Sequence, residues 1–141
     1  MSYRDFHGNS PVGKGIMNQR IKARRRAQLE RRDRKAATFI SAIIEKQSVT
    51  WEGRSGRVVK SITCRDGFTV SIQASACHYC IPRSNAGPWD NFELGFPSKH
   101  PGRRIAKYGE LMSQRLSTDT VYGYVPARLV QDLLRRHGGV A

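Results

Sequence analysis

Apolar and polar positions follow two different patterns along the chain. From Ile16 to Gln47 there is no Gly or Pro, and good helix formers recur (Ala23, Ala27, Gln28, Leu29, Glu30, Ala36, Ala37), which predicts a helix over 16–47. Glu30 and Arg34 add an i,i+4 pair in the favourable order. Apolar residues at helical spacing occur only near its end, as Ala36, Phe39, Ile40, Ile43 and Ile44. The last three turns are therefore expected to dock on a core, Phe39 among them. The turns before them have no apolar face to bury. A coiled-coil seam fails as well, because the Ala37, Ile40, Ile44 register runs back onto Asp33 and Glu30.

Residues 48–141 alternate in the manner of strands. Arg57 to Cys64 and Phe68 to Ala76 flank Arg65-Asp66-Gly67, a hairpin turn with glycine where a positive φ is needed. In the second arm Phe68, Val70, Ile72, Ala74 and Ala76 are expected on the buried side, with Thr69, Ser71, Gln73 and Ser75 opposite. Ile81 to Pro88 reads as a loop. Phe92, Leu94 and Phe96 alternate up to Pro97, and Ile105, Tyr108, Leu111, Met112 and Leu116 fit a short helix weakened by Gly109. Val121, Gly123 and Val125 mark a last strand, with Tyr122 and Tyr124 sharing its other face. Pro126 fits the first position of a final helix whose inner face is Ala127, Val130, Leu133, Leu134 and His137, ended by Gly138. The fold class predicted is α+β: a small antiparallel sheet packed with two or three helices, preceded by a long basic N-terminal helix. Its parts are a flexible tail over 1–15, a helical arm over 16–47 and a compact domain over 48–141.

Charge changes this picture more than any other property. The 141 residues carry a formal +14, of which 1–47 hold net +8 and 48–141 net +6. Between Arg20 and Lys35 stand nine cations: Arg20, Lys22, Arg24, Arg25, Arg26, Arg31, Arg32, Arg34 and Lys35. Only Glu30 and Asp33 oppose them, giving net +7 in sixteen residues. Such a helix can neutralise several phosphates, with counterion release as the driving force. The bland alternative is a solvated basic helix. Arg103, Arg104 and Lys107 form a second basic patch.

Other chemistry finds less support. Cys77-His78-Tyr79-Cys80 contains a CxxC, and Cys64 with His100 would complete a zinc site on paper. Cys64 pairs opposite Phe68 if the hairpin turns as expected, however, which leaves Cys77 nine residues further along, about 30 Å away. The cysteines are expected to be ordinary thiols, and no metal or other cofactor is expected. Cys80 with His100 is a conceivable nucleophile and base, Asp90 and Glu93 are too isolated for an acid/base pair, and Gly13-Lys14-Gly15 lacks the rest of a phosphate loop. His7 lies in the tail, and His137 is expected to serve a helix C-terminus. Tyr122 and Tyr124, if exposed, could stack unpaired bases, although such residues more often cover the rim of a core. No run of about 18 apolar residues reaches membrane length. Met1 to Gly15 lacks the apolar region of a secretory signal, and three cysteines suit a reducing compartment. A cytoplasmic, non-enzymatic protein is expected.

The run from Gln19 to Arg32 resembles the arginine-rich RNA-binding motifs of phage antitermination N peptides, which fold as a helix in the major groove of an RNA hairpin. Val70-Ser71-Ile72-Gln73-Ala74-Ser75, Tyr79-Cys80-x-Pro82-Arg83, Gly95-Phe96-Pro97-Ser98 and Tyr122-Gly123-Tyr124-Val125-Pro126 together resemble a family of small phage proteins of unknown activity, over about residues 68–139. That resemblance implies an infected bacterial cell as the setting. The expectation is a phage-type accessory protein that binds nucleic acid, RNA ahead of DNA, through the nine arm cations with Arg103, Arg104 and Lys107. Two alternatives are an inhibitor of a host enzyme or defence complex, of the anti-CRISPR type, whose partner is an acidic host protein or nucleoprotein, and a basic structural component of a virion or ribonucleoprotein. The pattern leaves the oligomeric state open.

Overall fold

The computed structural model describes residues 11–50, 57–109 and 117–141. Residues 1–10 of the expected tail, with His7, and Leu111, Met112 and Leu116 of the expected helix lie outside them. The elements follow the order α1 (Pro11–Gln47), β1 (Ser48–Thr50), β2 (Arg57–Val59), β3 (Ile62–Thr63), β4 (Thr69–Gln73), β5 (Asn91–Gly95), α2 (Arg103–Ala106), β6 (Val121–Pro126) and α3 (Ala127–Arg136). The fold is α+β, with a four-stranded antiparallel sheet ordered β3-β4-β5-β6 and a separate β1-β2 pair. The chain divides into two compact units, Met1–Arg32 and Asp33–Ala141.

In the first unit, α1 starts at Pro11, five residues before the expected Ile16. Proline suits a first helical position because its missing N–H would have no partner there, so Gly13 and Gly15 fall inside the helix rather than in a tail. Every described side chain from Ile16 to Arg32 is exposed.

The second unit is built on one apolar cluster. Ala36, Ala37, Ile40 and Ile44 of α1 join the sheet's Ile62, Val70, Ile72, Phe92, Leu94 and Val125, and α3 adds Leu129, Val130, Leu133 and Leu134. Each fully buried Ile or Leu contributes roughly 1.5–3 kcal/mol. Phe39 corrects the sequence reading: it is 49% exposed. At about 100° per residue, the docked face of α1 is turned toward Ala37 and Ser41, away from Phe39. Ser41 is what turns it. Its buried hydroxyl accepts the Trp89 backbone N–H at 2.9 Å and donates to the Trp89 carbonyl at 3.5 Å.

The hairpin turns where expected. Cys64 N–H donates to the Phe68 carbonyl at 2.7 Å, Asp66 Oδ1 accepts the Phe68 N–H at 2.9 Å, and Gly67 takes φ +90°. Its first arm is broken, however: β2 pairs with β1, and only β3 pairs with β4. Gln73 explains the break and is itself a correction, being buried where an outward side chain was expected. Its amide accepts the Val59 N–H at 2.8 Å and donates to the Val59 carbonyl at 2.6 Å, replacing a backbone partner for the end of β2. Ser75 is also buried, with its hydroxyl on His78 Nδ1 at 2.6 Å, and the chain turns there, so Ala76 is exposed instead of inward.

Four further expectations are corrected near β5 and β6. Phe96 is 58% exposed, because its φ of +49° ends the alternation after Leu94. Of the helix expected from Ile105 onward, the described residues form only the four-residue α2, which ends at Ala106, and Gly109 bridges Tyr122. Glycine suits that close contact: a Cβ there would lie 3.0 Å from the Tyr122 ring, which would have to give way slightly. Tyr122 and Tyr124 do not share a face. Phe92 pairs with Val125 and Leu94 with Tyr122, so Gly123 and Tyr124 bulge opposite Glu93 alone. The bulge sends Tyr122 into the core and leaves Tyr124 40% exposed at φ +57°. Pro126 ends β6 and caps α3, one residue before the position expected.

Candidate nucleic-acid interface

Arg20, Lys22, Arg24, Arg25, Arg26, Arg31 and Arg32 are all exposed on the helical turns of the first unit. At about 100° per residue, Arg20, Arg24 and Arg31 share one side of the helix, Arg25 and Arg32 a second, and Lys22 and Arg26 a third. Among the described residues of this unit one ion pair is formed, Arg26 Nε to Glu30 Oε1 at 3.1 Å, between side chains more than half exposed. Surface pairs of this kind contribute little stability. Cations on every side fit a groove with phosphates on two walls better than a flat acidic surface. Arg34 and Lys35, at the start of the second unit, are exposed too.

The second patch is divided differently from the expectation. Arg103 and Arg104 line a groove of about 530 Å³ between α2 and α3, facing Arg135 and Arg136 over Ile105 and Leu129. Asp132 tempers it, 3.7 Å from Arg104. Arg136 is held in place by donating to the Pro101 carbonyl at 2.8 Å. Lys107 lines a separate cleft, and its ammonium lies 5.9 Å from the Tyr108 ring centre. Arg135 and Arg136 escape sequence reading because they stand more than thirty residues from Arg103. No spacing rule links them; only the packing of α3 beside α2 does.

The cysteine segment forms a tight turn. Cys77 is exposed and Cys80 buried, and the Cys80 thiol donates to the Ser75 carbonyl at 3.1 Å. Burial pushes both the Cys80 and Cys64 thiols up from their ordinary range, which favours the protonated form, the opposite of an activated nucleophile. His100 Nδ1 accepts the Gly102 N–H at 3.0 Å. Among the described residues no three His, Cys, Asp or Glu side chains gather in a metal-binding cluster, and no helix is long and apolar enough to cross a membrane.

His137 is tied to the hairpin turn. Its Nδ1 lies 2.7 Å from Asp66 Oδ2, and its ring stacks on Phe68 at 3.8 Å between centres. Neither a family model, a curated protein nor a solved structure matches the chain.

Proposed function

We propose that this chain is a non-enzymatic accessory protein that binds nucleic acid, RNA in preference to DNA, through the phosphate contacts of α1. One observation carries the reading: seven exposed cations between Arg20 and Arg32, spread around the helix, with one weak internal ion pair among them. The likeness to arginine-rich RNA-binding helices supports RNA, and the groove of Arg103, Arg104, Arg135 and Arg136 offers further phosphate contacts. Base readout is thinly equipped. Asn18, Gln19 and Gln28 are the only amide side chains close to the cations, and phosphate contacts alone position a protein without specifying sequence.

The test is a binding titration of the full chain against structured RNA and duplex DNA over a range of salt. Affinity should fall by roughly 10³ between about 50 and 200 mM salt if about six phosphates are neutralised. R20Q/R24Q/R31Q should flatten the log–log slope by about 2–3. Unchanged binding by this variant would refute the reading. A nuclease-resistant complex with one host protein, with no affinity for either polymer, would favour the inhibitor instead.

A further inference from the structure

Strand β6 is the edge of the four-stranded sheet, and two loops close it. Gly123 N–H donates to the Tyr108 carbonyl at 3.2 Å, and Tyr124 N–H donates to the Tyr79 carbonyl at 2.9 Å. Each loop thus brings a tyrosine beside the bulge, where Tyr124 supplies a third. The three rings surround a cleft of about 220 Å³ with Gly123 in its wall. That is below the roughly 300–1,000 Å³ of small-molecule sites, and so suits one planar group rather than a whole cofactor.

Tyr108 is half-buried and packs against the core, whereas the other two rings stand out from it. Tyr79 is 48% and Tyr124 40% exposed, with centres 5.9 Å apart and planes tilted by 52°. Tyr124 keeps this place at φ +57°, a strained conformation that L side chains rarely adopt. Glycine would adopt it without strain. Cations stand over both outer rings: Arg83 is 5.7 Å from the Tyr79 centre and Lys107 5.9 Å from that of Tyr108. An aromatic cleft flanked by positive charge matches a flat, π-rich ring carrying a phosphate.

We infer that the Tyr79–Tyr108–Tyr124 cleft holds the base of an unpaired nucleotide, with Arg83 and Lys107 taking its phosphates. This deepens the nucleic-acid reading and rests on it for the polymer. It makes the chain a reader of single-stranded or looped segments, since stacking on aromatic rings is available only to a base out of its duplex.

Two measurements on the full chain separate the inference from that reading. In the first, a nucleoside monophosphate at millimolar concentration is titrated while the tyrosine ring resonances are followed by NMR. Shifts confined to Tyr79, Tyr108 and Tyr124 are expected, whether or not the arm binds polymer; silent rings would overturn the inference. In the second, affinities for an unpaired oligonucleotide and a duplex of equal charge are compared at one salt concentration. Tyr124→Gly and Tyr79→Leu should each lower the single-strand to duplex ratio by about tenfold, with the salt slope kept and Tyr124→Phe binding as the parent does. Tyr124→Gly, freed of strain, should melt no lower than the parent, which distinguishes lost stacking from lost fold. An unchanged ratio would remove the base from the cleft while leaving the arm's phosphate binding in place.

Discussion

Gln73 shows how one side chain can stand in for a length of backbone. Its amide satisfies both the N–H and the carbonyl of Val59, a residue only 3% exposed. Gln73→Leu would leave both groups buried without partners, at a cost of about 1–3 kcal/mol each. The midpoint of denaturant unfolding should fall accordingly; an unchanged midpoint would mean that Val59 has another partner. Asp66 gives a second test. The Phe68 N–H first, and the His137 ring next, hold its carboxyl below the usual range. A carboxylate depressed in the folded state adds stability above its unfolded value of about 3.9, and the protein loses that contribution as pH falls through the lower folded value. Stability should therefore decline on acidification below about pH 4. Asp66→Asn should flatten that decline, as followed by thermal melts across pH.

Helices and strands differed in how much of them the sequence disclosed. The docked turns of α1 and the inner face of α3 follow local periodicity, so Ile40, Ile44, Val130, Leu133 and Leu134 were legible. So was the turn at Gly67, whose conformation depends on its own residues. Alternation misled wherever a strand stopped being regular. The bulge at Gly123–Tyr124 separates Tyr122 from Tyr124, the positive φ at Phe96 turns it outward, and Gln73 is drawn in by a partner fourteen residues away. Each depends on a neighbour distant in sequence. The candidate site divides along the same line: its cation-rich helix was visible as composition, whereas Arg135, Arg136 and the Tyr79 loop join their partners only in three dimensions.

For the whole molecule, the division at Arg32 separates charge from core. All the buried apolar residues belong to the second unit among the described residues, while seven of the nine arm cations belong to the first. Removing residues 1–32 should leave the cooperative unfolding transition within a few degrees of the parent's and abolish most of the steep salt-dependent binding. Calorimetry and a salt titration on the same preparation check both halves. A collapse of the melting transition would show that the first unit supports the fold.

The hydroxyl of Ser41 has a practical consequence. It seats α1 against the backbone of Trp89, whose indole is wholly buried and donates Nε1–H to the Ser84 carbonyl at 2.9 Å. Tryptophan occurs twice in the chain, so Trp51→Phe leaves Trp89 as the sole indole fluorophore. Emission from such a site is blue and shifts to the red when water reaches it. The colour of that light would then report, second by second, whether the docked turns of the long helix are in their seat.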